Sequence, residues 1–150
     1  MKPAYPQPRT LHLWIGIAAV IAFLLTGQYM ERVHARLVDT EGVQRMLFRS
    51  THLYILFTGL MNVFLGLHWP PLTDTWARRL RATGSVFVLV TPILLTIGFF
   101  IEPFLTEFAR PWTHPAAYLS FGGALLLLAG YGWDRRTRAS RSAAGSGEVA

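Results

Sequence analysis

The sequence contains no cysteine. That excludes disulfides, thiolate nucleophiles and thiolate metal sites, and leaves histidine and carboxylate as possible ligands. Charge is scarce as well: Asp, Glu, Lys and Arg make up 15% of the chain, where a soluble domain has about 25%. No acid or base stands in the middle of any long apolar run. This disfavours a proton-coupled carrier, which places a carboxylate where substrate and proton compete for it, and it puts a small-solute transporter third among the functions considered. A phosphate-binding glycine loop is missing too, and no nucleophile and base stand at a telling spacing.

What is present is hydrophobic. Such residues are 52% of the 150, gathered into four blocks at about 11–30, 51–69, 84–102 and 115–133. Each block matches the roughly 20 residues a helix needs to cross about 30 Å of hydrocarbon. The expected fold is all-α: a four-transmembrane-helix bundle forming a single polytopic membrane domain over residues 1–133. The remainder, 134–150, is small, polar and basic, and reads as a disordered cytoplasmic tail. The net charge of +6 does not imply nucleic acid, because the basic residues sit in the short connections, as membrane topology requires.

The basic start and first apolar block look like a signal peptide, but no small-x-small cleavage site follows, so 11–30 reads as an uncleaved anchor. Between the first two blocks, Met30, Val33 and Leu37, then Val43, Met46 and Leu47, keep a helical period. Both helices are therefore expected to extend beyond the membrane as a hairpin, turning near Asp39, Thr40 and Gly42. Pro70 and Pro71 end the second block. The segment that follows, with Trp76 and three arginines, fits a headgroup layer or a plain connecting loop. Thr91-Pro92 should bend the third helix and free a carbonyl for its neighbours to absorb.

Lys2, Arg9, Arg78, Arg79, Arg81, Arg135, Arg136, Arg138 and Arg141 fall on one side, and Arg32, Arg36, Arg45, Arg49 and Arg110 on the other. The richer side stays in the cytoplasm, so both termini are expected inside a bacterial-type inner membrane.

At about 100° per residue, His52, Gly59 and Gly66 share one face of the second helix, with Asn62 beside them. His12, Gly16, Ala19, Phe23 and Thr26 share a face of the first, and Thr91, Gly98 and Glu102 one of the third. Gly59, Asn62, Gly66, Gly98 and Gly122 are candidate helix-packing positions, since small residues let backbones approach closely in lipid. His12 and His68 read as interfacial residues beside Trp14 and Trp69, His68 lying roughly 160° from His52 around its helix.

At the outer end, His52, Glu102, Arg49, Gln28, Tyr29, Glu107 and His114 outline a polar cluster that admits three readings. His52 and His114 could be axial ligands of a b-type haem, with Arg49 or Arg45 near the propionates. His34, His52 and His114 could hold a metal ion with Glu102 or Glu107. Or these groups hydrogen-bond one another and cap helix ends. The tetrapeptide Ser50 to Leu53, S-x-H-L, resembles a segment of the haem-binding anchor subunit of succinate dehydrogenase, whose arginine-containing motif in the first span is absent here. The expected function is a non-catalytic accessory or structural subunit, in a homo-oligomer or larger membrane complex. A haem-binding redox subunit is the alternative.

Overall fold

The computed structural model describes residues 8–34, 42–105 and 109–146, with side chains as far as 32 in the first segment and 141 in the last. Four helices account for most of it: α1 (Pro8–His34), α2 (Gly42–Leu67), α3 (Thr75–Ile101) and α4 (Thr113–Ser146). A single 3-10 turn at Glu102–Phe104 follows α3, and the described residues contain no strand. Each of the four helices is long and apolar enough to cross a bilayer. The described residues are thus all-helical, and the four helices make the chain a multi-pass membrane protein.

Two helix boundaries differ from those read off the sequence. The segment after Trp69 is neither a loop nor a separate surface helix over its whole length, because α3 begins at Thr75. Asp74 caps it, accepting from the Ala77 N–H at 3.0 Å, and a side chain so placed fixes a helix start. α4, in turn, continues past Trp133 to Ser146, where composition alone suggested disorder. The reason lies in Asp134, which is buried and pairs with Arg138 one turn on at 2.7 Å. The expected turn at Asp39 and Thr40 lies outside the described residues; Gly42 opens α2.

α1 packs along α2, and α3 along α4. The two pairs meet chiefly through α2 and α3, with a smaller contact between α1 and α3. Glycine makes both pairings possible. A Cβ at Gly66 would lie 2.7 Å from the Leu13 nitrogen, and one at Gly59 would lie 3.0 Å from the Ala19 Cβ. In the other pair, a Cβ at Gly84 would come within 2.7 Å of the Gly123 carbonyl oxygen, and one at Gly123 within 2.9 Å of the Gly84 oxygen. The backbones touch there. In lipid, where water exclusion does not drive helices together, such close contact is the main source of association.

Of the packing positions read from the sequence, Gly59, Asn62, Gly66 and Gly98 are buried between helices. Gly122 is not packed: nothing lies within 4 Å of a Cβ built there. Its neighbour Gly123, turned about 100°, makes the contact instead.

Two adjacent substitutions test this seam. Gly123→Ala forces a methyl onto the Gly84 carbonyl and should destabilise the protein by about 1–3 kcal/mol. Gly122→Ala meets open space and should be neutral, or stabilising by up to about 1 kcal/mol. Thermal unfolding in detergent measures both; equal effects would rule out the Gly84–Gly123 contact.

Candidate functional site

Buried polar side chains in a membrane bundle are costly unless bonded, and they are the place to look for chemistry. They gather in three knots. The first lies inside the bundle, at Pro92. A proline has no N–H, so the carbonyl four residues earlier, that of Val88, loses its helical donor. Asn62 of α2 replaces it: its Nδ2 donates to the Val88 carbonyl at 3.0 Å and to the Thr58 carbonyl of its own helix at 2.9 Å.

Those two bonds fix the orientation of the amide and leave Oδ1 pointing at His12 of α1. His12 Nδ1, 2.7 Å from that acceptor, must therefore carry a proton. In the neutral ring Nε2 is then an acceptor, and Ser85 Oγ of α3 donates to it at 2.6 Å. His12 is wholly buried, with Trp69 beside it at a ring separation of 5.4 Å. It is thus an interior residue that joins three helices. The interfacial placement read from the sequence did not anticipate that the ring is enclosed by helices. His68, by contrast, is exposed and stacks on Phe64.

The second knot is at the opposite end of α3. Glu102, fully buried, accepts from the Trp112 N–H at 2.8 Å and the Thr113 N–H at 2.7 Å through Oε1, and from the Thr113 hydroxyl through Oε2. The carboxylate occupies the amide end of α4, where the helix dipole favours negative charge. Gly98 makes this possible, since a Cβ there would lie 3.0 Å from that of Trp112. Arg110 Nε is buried 3.8 Å from Glu102 Oε2 without a hydrogen bond, while its Nη2 donates to Ser50 Oγ at 2.6 Å and Thr51 Oγ1 at 3.3 Å.

The third knot centres on Asp134. Its Oδ1 accepts from the Thr73 and Asp74 N–H groups, at 2.9 and 3.0 Å, and from the Thr73 hydroxyl at 3.0 Å. Arg138 donates to the Pro71 carbonyl at 2.8 Å, and Arg81 to that of Pro70 at 2.6 Å, with its guanidinium 4.5 Å over the Trp69 ring. The α2–α3 connection is thereby held onto α4.

The cluster expected around His52 is distributed differently. Thr26 Oγ1 donates to carbonyls of its own helix at 2.8 and 3.0 Å, and lies 2.9 Å from His52 Nδ1. The His52 ring stacks on Phe23 at 4.0 Å, with its Cε1–Nε2 edge against Gly27 of α1. His114 is exposed on the first turn of α4, and Arg49 is exposed on α2. No hydrogen bond or ring contact joins His52 to His114 among the described residues. Gln28 is exposed, and Tyr29 packs edge-on against Phe99 and Phe100. The His34 side chain and Glu107 lie outside the described residues, within which no three His, Asp or Glu residues group as a metal site.

Sequence reasoning missed Ser85 and Asp134 as bonding groups. Ser85 offers no signal beyond its place one turn before Val88. Asp134 does offer one: an acid directly ending an apolar block, with an arginine four residues on.

Comparison with protein-family models, with curated proteins and with solved structures finds no match.

The Asn62–Val88 bond predicts non-additive stabilities. Asn62→Leu leaves the Val88 carbonyl and His12 Nδ1 unanswered and should cost about 2 kcal/mol. In a Pro92→Ala background the helix supplies its own donor to Val88, so that cost should shrink by about 1 kcal/mol. Strictly additive losses in a double-mutant cycle would show that Pro92 and Asn62 are not coupled. For the second knot, Glu102→Ala should cost about 3 kcal/mol by stranding Arg110 and two amides. Hydrogen exchange at the Trp112 and Thr113 amides should accelerate; unchanged protection there would contradict the capping role.

Proposed function

We propose that the chain is a non-catalytic accessory or structural subunit of a bacterial-type inner membrane, acting by helix packing within a homo-oligomer or larger membrane complex. The observation that carries this reading is the use made of the buried polar groups. His12, Asn62, Glu102 and Asp134 each make at least one hydrogen bond to another helix or to the backbone of a connection. Groups committed in this way hold helices in register; to act on a substrate they would have to give up bonds that cost about 1–3 kcal/mol each to leave unmade.

Both termini are proposed to be cytoplasmic. Supporting this, Arg9, Arg81 and Arg138 bond to backbone carbonyls at one end of the bundle, where Arg78, Arg79, Arg135, Arg136 and Arg141 also stand. The ends of α1 and α2 nearest their connection, at His34 and Gly42, lie beyond the apolar blocks, which supports a hairpin projecting on the opposite side.

The alternative is a b-type haem held by His52 and His114, with Arg49 at the propionates. It requires His52 to swing its Nε2 edge from Gly27 of α1 toward α4. Purification of the full chain in mild detergent separates the two readings. An accessory subunit should bring down a defined membrane partner or its own oligomer and show no Soret band. A monodisperse colourless monomer would defeat the accessory reading, and a sharp Soret band abolished by His52→Ala would establish the haem.

A further inference from the structure

α2 and α4 meet at the Glu102 end, where Thr51 Oγ1 and Thr113 Oγ1 are 3.4 Å apart. Beyond that contact two cavities open between the helices. One, of about 370 Å3, lies between Tyr54 and Phe57 of α2 and Phe121 of α4, with Leu95 of α3 among its walls. The other, of about 670 Å3, lies between Phe64 of α2, with His68 just past its end, and Leu128 and Arg135 of α4. Phe57 and Phe64 fall on one face of α2, and Phe121, Leu128 and Arg135 recur every second turn on one face of α4. The two cavities therefore lie in line along one α2–α4 cleft, with Leu65 of α2 and Leu127 of α4 in a buried apolar cluster beside it.

Three features say what fits it. The cleft is apolar along its length and cationic at one end, where Arg135 is exposed and makes no ion pair or hydrogen bond among the described residues. The neighbouring Asp134 carboxylate is taken up by Arg138 and the Thr73 and Asp74 amides. That end also stands at headgroup depth: Trp76 and Trp133 are about half exposed there, as tryptophans are at a membrane surface. Finally, the walls are the wrong shape for a close-packed helix. Phe57, Phe64, Phe121 and Leu128 are large and more than half exposed, whereas helices associate in lipid over small residues.

We propose that the α2–α4 cleft holds one phospholipid with an anionic headgroup, its phosphate on Arg135 and His68 and an acyl chain running between Phe64 and Leu128 toward Phe121. From Arg135 to Phe121 the helix rises about 21 Å, enough to accommodate a chain crossing the roughly 15 Å of one leaflet's hydrocarbon. The anionic preference follows from the surplus of arginine at this end, since each basic side chain near the surface favours an anionic lipid by about fivefold.

Native mass spectrometry of the full chain, with equal amounts of phosphatidylglycerol and phosphatidylcholine of identical acyl chains, tests the assignment. Phosphatidylglycerol should be retained at least about fivefold over phosphatidylcholine. Arg135→Gln, which removes an exposed side chain with no internal partner, should reduce that preference about fivefold. Arg141→Gln, exposed on α4 outside the cleft, should leave it intact. Leu128→Trp should lower retention of both lipids by filling the chain's path, and if it fails to fold, the Arg135 comparison decides alone. Excess glycerol phosphate should displace nothing. Equal retention of the two lipids, an equal loss in Arg141→Gln, or displacement by glycerol phosphate would each overturn the proposal. So would Phe121→Cys copies that cross-link through the cleft to the exclusion of lipid, which would assign it to a second copy of the chain.

Discussion

One missing hydrogen atom organises the interior. Pro92 leaves the Val88 carbonyl without its helical donor, and no water is present in a bilayer core to answer it. α3 nevertheless runs without a break from Thr75 to Ile101, so the donor must come from another helix at that one height. Asn62 supplies it. A net hydrogen bond is worth only about 1 kcal/mol, but an unanswered buried carbonyl costs more than that. The asymmetry makes the bond a register lock: sliding α2 by a turn would save nothing and expose the defect. Because Asn62 has committed both amide protons to carbonyls, its oxygen can face only His12, and the constraint passes to α1 and back to α3 through Ser85.

α4 is held by different means. It shares no knot at mid-depth with α2. It is joined to α3 along Gly84 and Gly123 and clamped by two carboxylates that bind backbone amides, Glu102 at its first turn and Asp134 about six turns on, just past Trp133. Arg110 ties the first clamp to α2 through Ser50 and Thr51, and Arg138 ties the second to the Pro71 carbonyl. Between the clamps α2 and α4 share a buried cluster at Leu65 and Leu127, while large side chains such as Phe57 and Phe121 line an open cavity.

Much of this was legible as angle and little of it as pairing. The inward faces of α1 (His12, Gly16, Ala19, Phe23, Thr26) and α3 (Thr91, Gly98, Glu102) follow from a helical period, and all are buried except Phe23, which is half-buried. In lipid that period is informative because one face must be greasy and bulky while the other packs closely. A period reports direction but not what stands opposite. His12, two residues into its apolar block, has the address of a surface residue; only the register of α2 reveals that Asn62 waits for it. Gly122 and Gly123 are equally small, and only the true phase of α4 separates them. Asp134 was hidden by reading the tail as composition, because its partners Thr73 and Asp74 are some sixty residues away.

The same distinction bears on function. Ionisable residues inside a membrane bundle invite a catalytic or transport reading because their burial is expensive. Here that expense has a structural return: Glu102 and Asp134 complete bonds that backbone geometry leaves open, at the start of α4 and at the α2–α3 connection, and His12 holds Asn62, which does the same at Pro92. The uncommitted charge is therefore at the rim, on exposed side chains such as Arg135 rather than in the interior. A chain built this way meets its surroundings through its apolar outer faces and its basic rim.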